Sequence, residues 1–187
     1  MDRLEELKIK VFGVIEEQWP LAAFETWLYA QEDLADQMND SLILELFAFN
    51  YRQEGALFVF RDVMLRHYNR NEFLLWKVKA NLQDLIDGKD SRDRILHDFL
   101  RLSYNDIPIL NKLGYYAYYF EDLEYTGRSE NGIIQEMKAE ATALLRVINT
   151  QQAKNLHFDI CDFERYNTEL HELGYTRPLL GKKWWQF

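Results

Sequence analysis

Apolar residues recur at helical spacing along most of the chain. Leu4, Leu7, Val11, Val14 and Ile15 form one stripe, which predicts a first helix from about Asp2 to Gln18. Trp19-Pro20 ends it, because the residue before proline is pushed out of the α region. Pro20 can open the next helix, whose inward side is Phe24, Trp27, Leu28 and Leu21. Asp40 or Ser41 caps a third, carrying Leu42, Ile43, Leu46 and Phe47. Gln53-Glu54-Gly55 reads as a turn, followed by a segment from Leu57 to His67. The stripe Leu74, Val78, Leu82 and Leu85 predicts a helix over Asn71 to Asp87, with Gly88 as a left-handed cap.

The second half repeats the style. Ser91 can cap a helix bearing Ile95, Leu96, Phe99, Leu100 and Leu102, and Asp106 a short one closed by Gly114. Ile133, Met137, Ala141, Leu144 and Ile148 share one face of a long helix from about Glu130 to Gln152. A last helix is expected from Asp162 to Leu173. The helical pattern is weakest at Ala56 to Phe60 and at Leu156 to Cys161, where Phe158, Ile160 and their neighbours alternate as a strand would. Leu-Gly-Tyr occurs at 113–115 and 173–175; the flanks differ, so these are two similar helix ends and not a repeat. The expectation is an all-α bundle of about seven to nine helices, with a minor β segment at 156–161 as the alternative there. The 187 residues suit a single helical domain; the polar stretch 88–94 is the one candidate subdomain boundary.

Composition supports this reading. With only 3 Pro and 8 Gly, long helices are favoured over tight turns, and 48% apolar residues rule out intrinsic disorder. The single cysteine, Cys161, cannot form an intramolecular disulfide, so a reducing cytoplasm is expected. MDRLEELKIK reads as the start of a helix and not as a signal peptide. The longest apolar run, Tyr115 to Phe120, is far short of the roughly 20 residues that span a bilayer.

Charge changes the picture more. The net charge is −9, which disfavours binding to nucleic acid or an anionic membrane. Between Lys10 and Arg52 no Lys or Arg occurs, while Glu16, Glu17, Glu25, Glu32, Asp33, Asp36, Asp40 and Glu45 fall inside. If the stretch is helical, Glu32, Asp36 and Asp40 share a face, where like charges cost a few tenths of a kcal/mol per pair. A surface tolerated at that cost suits a basic protein partner, steered by long-range attraction. Phe24, Trp27 and Leu28 sit at core spacing, whereas Tyr29 points elsewhere and is the aromatic anchor to expect at an interface. The expected docking face is therefore Glu25, Tyr29, Glu32, Asp33, Asp36 and Asp40.

The run Phe24-Glu25-x-Trp27-Leu28-Tyr29, followed by Leu42-x-Leu44-Glu45-Leu46 and Asn50-Tyr51, resembles small helical bacterial immunity proteins over roughly Leu4 to Asp87. Those proteins neutralise a secreted or contact-delivered toxin in the cell that makes it. The resemblance implies a stoichiometric inhibitor with no active site, and no cofactor is expected. An acidic face would suit a toxin domain with a basic nuclease cleft.

Two readings compete. His67, the pair His97-Asp98 and a later Asp122 or Asp159 follow the order of metal ligands in HD-type phosphohydrolases, without the glycine-containing turn expected after the pair. His157, Asp159, Cys161 and Asp162 could offer a mixed donor set, but His157, Asp159 and Cys161 would share a side only on a strand. No Glu-x-x-His, His-Glu-x-x-His or glycine-rich phosphate motif occurs, so no enzyme is expected. The other reading is a homodimer or structural subunit held by the apolar end Lys182-Lys183-Trp184-Trp185-Gln186-Phe187. Tyr115-Tyr116-Ala117-Tyr118-Tyr119-Phe120 is the densest aromatic patch, but with no Lys or Arg between Lys112 and Arg128 it lacks the basic groove that base stacking needs.

Overall fold

The computed structural model describes residues 3–35, 40–89 and 91–163. Among them the regular structure is entirely helical: α1 (Arg3–Ile15), α2 (Leu21–Tyr29), α3 (Glu32–Ala35), α4 (Ser41–Ala48), α5 (Ala56–Met64), α6 (Arg70–Asp87), α7 (Arg92–Asn105), a 3-10 turn (Pro108–Leu110), α8 (Asn111–Gly114), α9 (Tyr116–Glu121), α10 (Leu123–Thr126) and α11 (Glu130–Lys154). The all-α expectation holds. Neither of the two stretches of weak helical pattern forms a strand. Ala56 to Phe60 is the start of α5, with Phe60 and Met64 buried one turn apart, and Leu156 to Cys161 is a series of turns. Among the described residues no helix is long and apolar enough to cross a membrane. The expected helix from Asp162 and the Trp184-Trp185 segment lie outside the described residues, the former from residue 164 onward.

The chain clusters into two compact units, Met1–Lys77 and Val78–Phe187, so the polar stretch 88–94 falls within the second. In the first unit the core is aromatic. Phe12 is fully buried, with the rings of Tyr68, Phe73 and Trp76 at 4.9, 5.3 and 5.4 Å. Phe24 packs edge-on to Phe60 at 5.4 Å. Such pairs contribute about 0.5–1.5 kcal/mol each beyond the area they bury. Leu7, Val11, Val14 and Ile15 line the same core, while Leu4, assigned to their stripe by spacing, is 45% exposed.

Helix α1 ends three residues before Gln18. Glu17 adopts φ 57°, the Gln18 N–H donates to the Gly13 carbonyl at 2.8 Å, and the Glu17 N–H donates to that of Val14 at 3.0 Å. This is a Schellman stop built on a non-glycine residue. Arg61 braces it: its Nη2 donates to the Ile15 carbonyl and lies 3.5 Å from the Glu17 carboxylate. A second tie closes the same end, where the Lys77 ammonium meets Glu16 at 2.8 Å with both side chains at least nine-tenths buried. Asp40 caps α4 as expected, its Oδ1 accepting from the N–H groups of Leu42 and Ile43.

In the second unit Leu82, Leu85, Ile95, Leu96, Phe99, Ile133, Met137, Ala141, Leu144 and Ile148 are buried, as their spacing predicts. Gly88 takes φ 75° after α6, the left-handed conformation that glycine adopts at no steric cost. Ser129 caps α11 by accepting from the Gly132 N–H. Ser91 stands at the start of α7 without such a bond, and Asp106 ends α7 instead of opening the next turn. Gly114 is not a cap either. It lies where α8 meets α7, so close that a Cβ would fall 2.8 Å from the Leu100 nitrogen.

Candidate functional site

The expected docking residues sit on α2, on α3 and at the start of α4. Inward packing of Phe24 and Leu28 fixes the roll of α2, so Glu25 and Tyr29, one turn apart, are directed away from the core. Glu25 is half-buried. Tyr29 is 53% exposed, its ring held against Phe47 at 5.6 Å and Tyr51 at 6.4 Å, both T-shaped, and its hydroxyl donates to the Phe47 carbonyl at 3.4 Å. Behind it the buried Tyr51 hydroxyl donates to the Leu46 carbonyl at 2.8 Å. Burial pushes its pKa up, and the nearby Tyr29 and Glu25 add to that. Tyr29 is thus an aromatic surface with its rotamer already set.

Glu32 and Asp33 are exposed on α3. Asp40 is exposed too, but its backbone is extended and its carboxylate is engaged in the α4 cap. Glu32 and Asp40 therefore belong to different elements, and the single helical face suggested by their spacing is not formed between them. Asp36 lies outside the described residues.

Part of the acidic window is engaged by side chains from outside it. Arg3 donates to Asp33 at 2.9 Å, His67 lies 3.0 Å from Glu45, and Arg61 and Lys77 reach Glu17 and Glu16. These partners are 22 to 61 positions away along the chain, so the charge count along the sequence could not show them. Among the described residues Glu25 and Glu32 make no ion pair, and along the chain they stand four positions before and three after the exposed Tyr29. The face that is left is smaller than the six residues named from sequence, and it has an aromatic centre.

The residues of the metal alternative are arranged differently. His67 is engaged with Glu45. His97 and Asp98 are neighbours on α7 and diverge: His97 is exposed, 3.5 Å from Glu121, whereas Asp98 is buried and accepts from Arg101. His97 opens onto a shallow cleft of about 250 Å³ that also contains Arg92 and Phe120, the guanidinium lying 4.0 Å above the ring. At the other candidate donor set, the Asp159 carboxylate accepts from the Cys161 N–H at 2.9 Å, closing a local turn. Among the described residues no three His, Cys, Asp or Glu side chains converge as metal ligands would.

The aromatic patch resolves into two sets. Tyr116 and Ala117 are buried, and Tyr115, Tyr118 and Tyr119 are exposed. Tyr104, at the end of α7, is 69% exposed and joins them through a hydrogen bond between its hydroxyl and that of Tyr115. It lies outside the aromatic run, and nothing in its local sequence marks it. No protein-family model matches the chain, and no curated protein and no solved structure is significantly similar to it.

Proposed function

We propose that this chain is a cytoplasmic protein-binding module, an immunity protein that inhibits a basic toxin domain by docking it on the α2–α3 face. The observation that carries the reading is the exposed, preset Tyr29 ring, near in the chain to two carboxylates, Glu25 and Glu32, without ion-pair partners among the described residues. An aromatic side chain whose rotamer is already fixed loses little entropy on burial, and central aromatics of this kind dominate interface energetics. Glu25 and Glu32 supply attraction at a distance and register on contact. Asp33 contributes less, because Arg3 already holds it, and Asp40 acts mainly on α4.

Coexpression in a bacterial host with the toxic domain encoded by an adjacent gene tests the proposal. The wild-type chain restores growth, and the charge-reversed variant Glu25→Lys/Glu32→Lys loses protection while its circular dichroism is unchanged. Adjacent genes without a product toxic to the host, or toxicity that the wild-type chain leaves unrelieved, would overturn the inhibitor reading. Full protection by the variant would overturn the placement of the face.

A further inference from the structure

The second unit carries an aromatic–acidic surface of its own, independent of the α2–α3 face. Helices α8 and α9 are nearly continuous, since the N–H groups of Tyr118 and Tyr119 donate to the Tyr115 carbonyl and that of Asp122 to the Tyr118 carbonyl. Tyr115, Tyr118 and Asp122 therefore succeed one another at three- and four-residue spacing on one exposed flank. The Tyr115 and Tyr118 rings are 5.8 Å apart, and Tyr104 extends the row through its hydrogen bond to Tyr115. Four exposed residues, Tyr104, Tyr115, Tyr118 and Asp122, thus form one ladder.

Its charge is uniformly negative. No Lys or Arg occurs between Lys112 and Arg128, while Glu121, Asp122 and Glu124 do. The bordering cations are committed to carboxylates: Lys112 to Glu140, Arg101 to Asp98 and Arg128 to Glu136. A second copy of a chain of net charge −9 would be repelled here. The adjoining rings also show which group fits, because each holds one of the chain's own arginines. Arg92 lies over Phe120 at 4.0 Å and Arg128 over Tyr119 at 5.4 Å. Among the described residues no cation lies over Tyr104, Tyr115 or Tyr118.

We propose that the Tyr104–Tyr115–Tyr118 ladder, ending at Asp122, docks an arginine-bearing segment of a protein partner. Guanidinium planes stack on the tyrosine faces, and the carboxylate at the end of the row takes their N–H fork. Arginine is preferred to lysine because its flat, weakly hydrated group can stack and form two parallel hydrogen bonds at once.

Fluorescence anisotropy with a labelled peptide of repeated Arg-Gly-Gly units, against the same peptide with lysine for arginine, tests this. The wild-type chain binds the arginine peptide more tightly. Removing a ring weakens it about two- to fivefold, so Tyr115→Ala/Tyr118→Ala loses roughly tenfold and the preference with it. Tyr115→Phe/Tyr118→Phe keeps the preference, since the ring faces remain. Tyr104→Ala, at a residue 69% exposed, supplies the ring deletion should the double variant fail to fold. Glu25→Gln/Glu32→Gln, on the first unit, leaves the arginine preference intact, which separates this surface from the α2–α3 face. No binding by the wild type, equal affinity for the two peptides, or a preference that survives ring deletion would overturn the proposal.

Discussion

Substituting alanine at two buried glycines, Gly13 and Gly114, should move stability in opposite directions. Both lie in helices, where Gly→Ala alone stabilises by about 1 kcal/mol. At Gly13 the added Cβ meets nothing nearer than the Trp19 Cβ at 3.9 Å, an ordinary contact, so the propensity gain is kept. At Gly114 the Cβ falls 2.8 Å from the Leu100 nitrogen and 3.0 Å from its Cα. Those atoms are backbone of α7 and cannot rotate aside, so α8 must draw back from α7. Overpacking of this kind costs about 1–3 kcal/mol, and a clash with backbone belongs at the upper end. After the helix gain, Gly114→Ala should lose about 2 kcal/mol. With a urea slope of about 2 kcal/mol/M, the midpoint falls by roughly 1 M, while Gly13→Ala raises it by up to about 0.5 M. Urea titration followed by circular dichroism at 222 nm reads both. A Gly114→Ala midpoint at or above wild type would refute the close approach of α7 and α8.

Lys77→Met should cost about 3–5 kcal/mol in the same titration, because it strands the buried Glu16 carboxylate; Lys77→Met/Glu16→Leu should recover most of it, and a double variant as unstable as the single would count against the ion pair. Asp40→Ala should cost about 1 kcal/mol through the lost α4 cap, whereas Asp40→Asn keeps the cap and most of the stability; equal losses in both would show that charge, and not capping, is what Asp40 contributes. Burial raises the Tyr116 pKa to about 12, from an ordinary value near 10. The unfolded chain therefore releases this proton first, so the contribution is complete below pH 10 and is lost as pH rises towards 12. Tyr116→Phe should flatten the stability–pH curve in that window, and an unchanged slope would refute the assignment.

The fold could be read from sequence wherever local chemistry decides it. The buried stripes of α6 and α11 follow from period alone, and the Asp40 cap and the Gly88 turn follow from residue type. It could not be read where a distant residue decides. Glu17 at positive φ is an improbable helix stop by residue type, and it is braced by Arg61, 44 positions on. Gly114 has the sequence context of a cap but serves helix contact, which depends on where α7 passes. Charge shows the same division. The one-sided window was legible, but the Arg3–Asp33 and Lys77–Glu16 pairs that neutralise part of it were not, because a charge count carries no distances. Exposed Tyr29 was legible from helical phase, while Tyr104 joins Tyr115 only through the packing of α7.

The central claim is that Glu25 and Glu32 steer a basic partner onto the Tyr29 face. The most direct test is stopped-flow association with the adjacent-gene toxin domain at ionic strengths from 0.02 to about 0.5 M, where screening shortens from tens of ångströms to a few. The wild-type rate constant should fall steeply with salt. That of Glu25→Gln/Glu32→Gln should start about tenfold lower, depend less on salt, and converge with wild type at the high end. Two parallel lines, with the variant as salt-sensitive as the wild type, would contradict the claim.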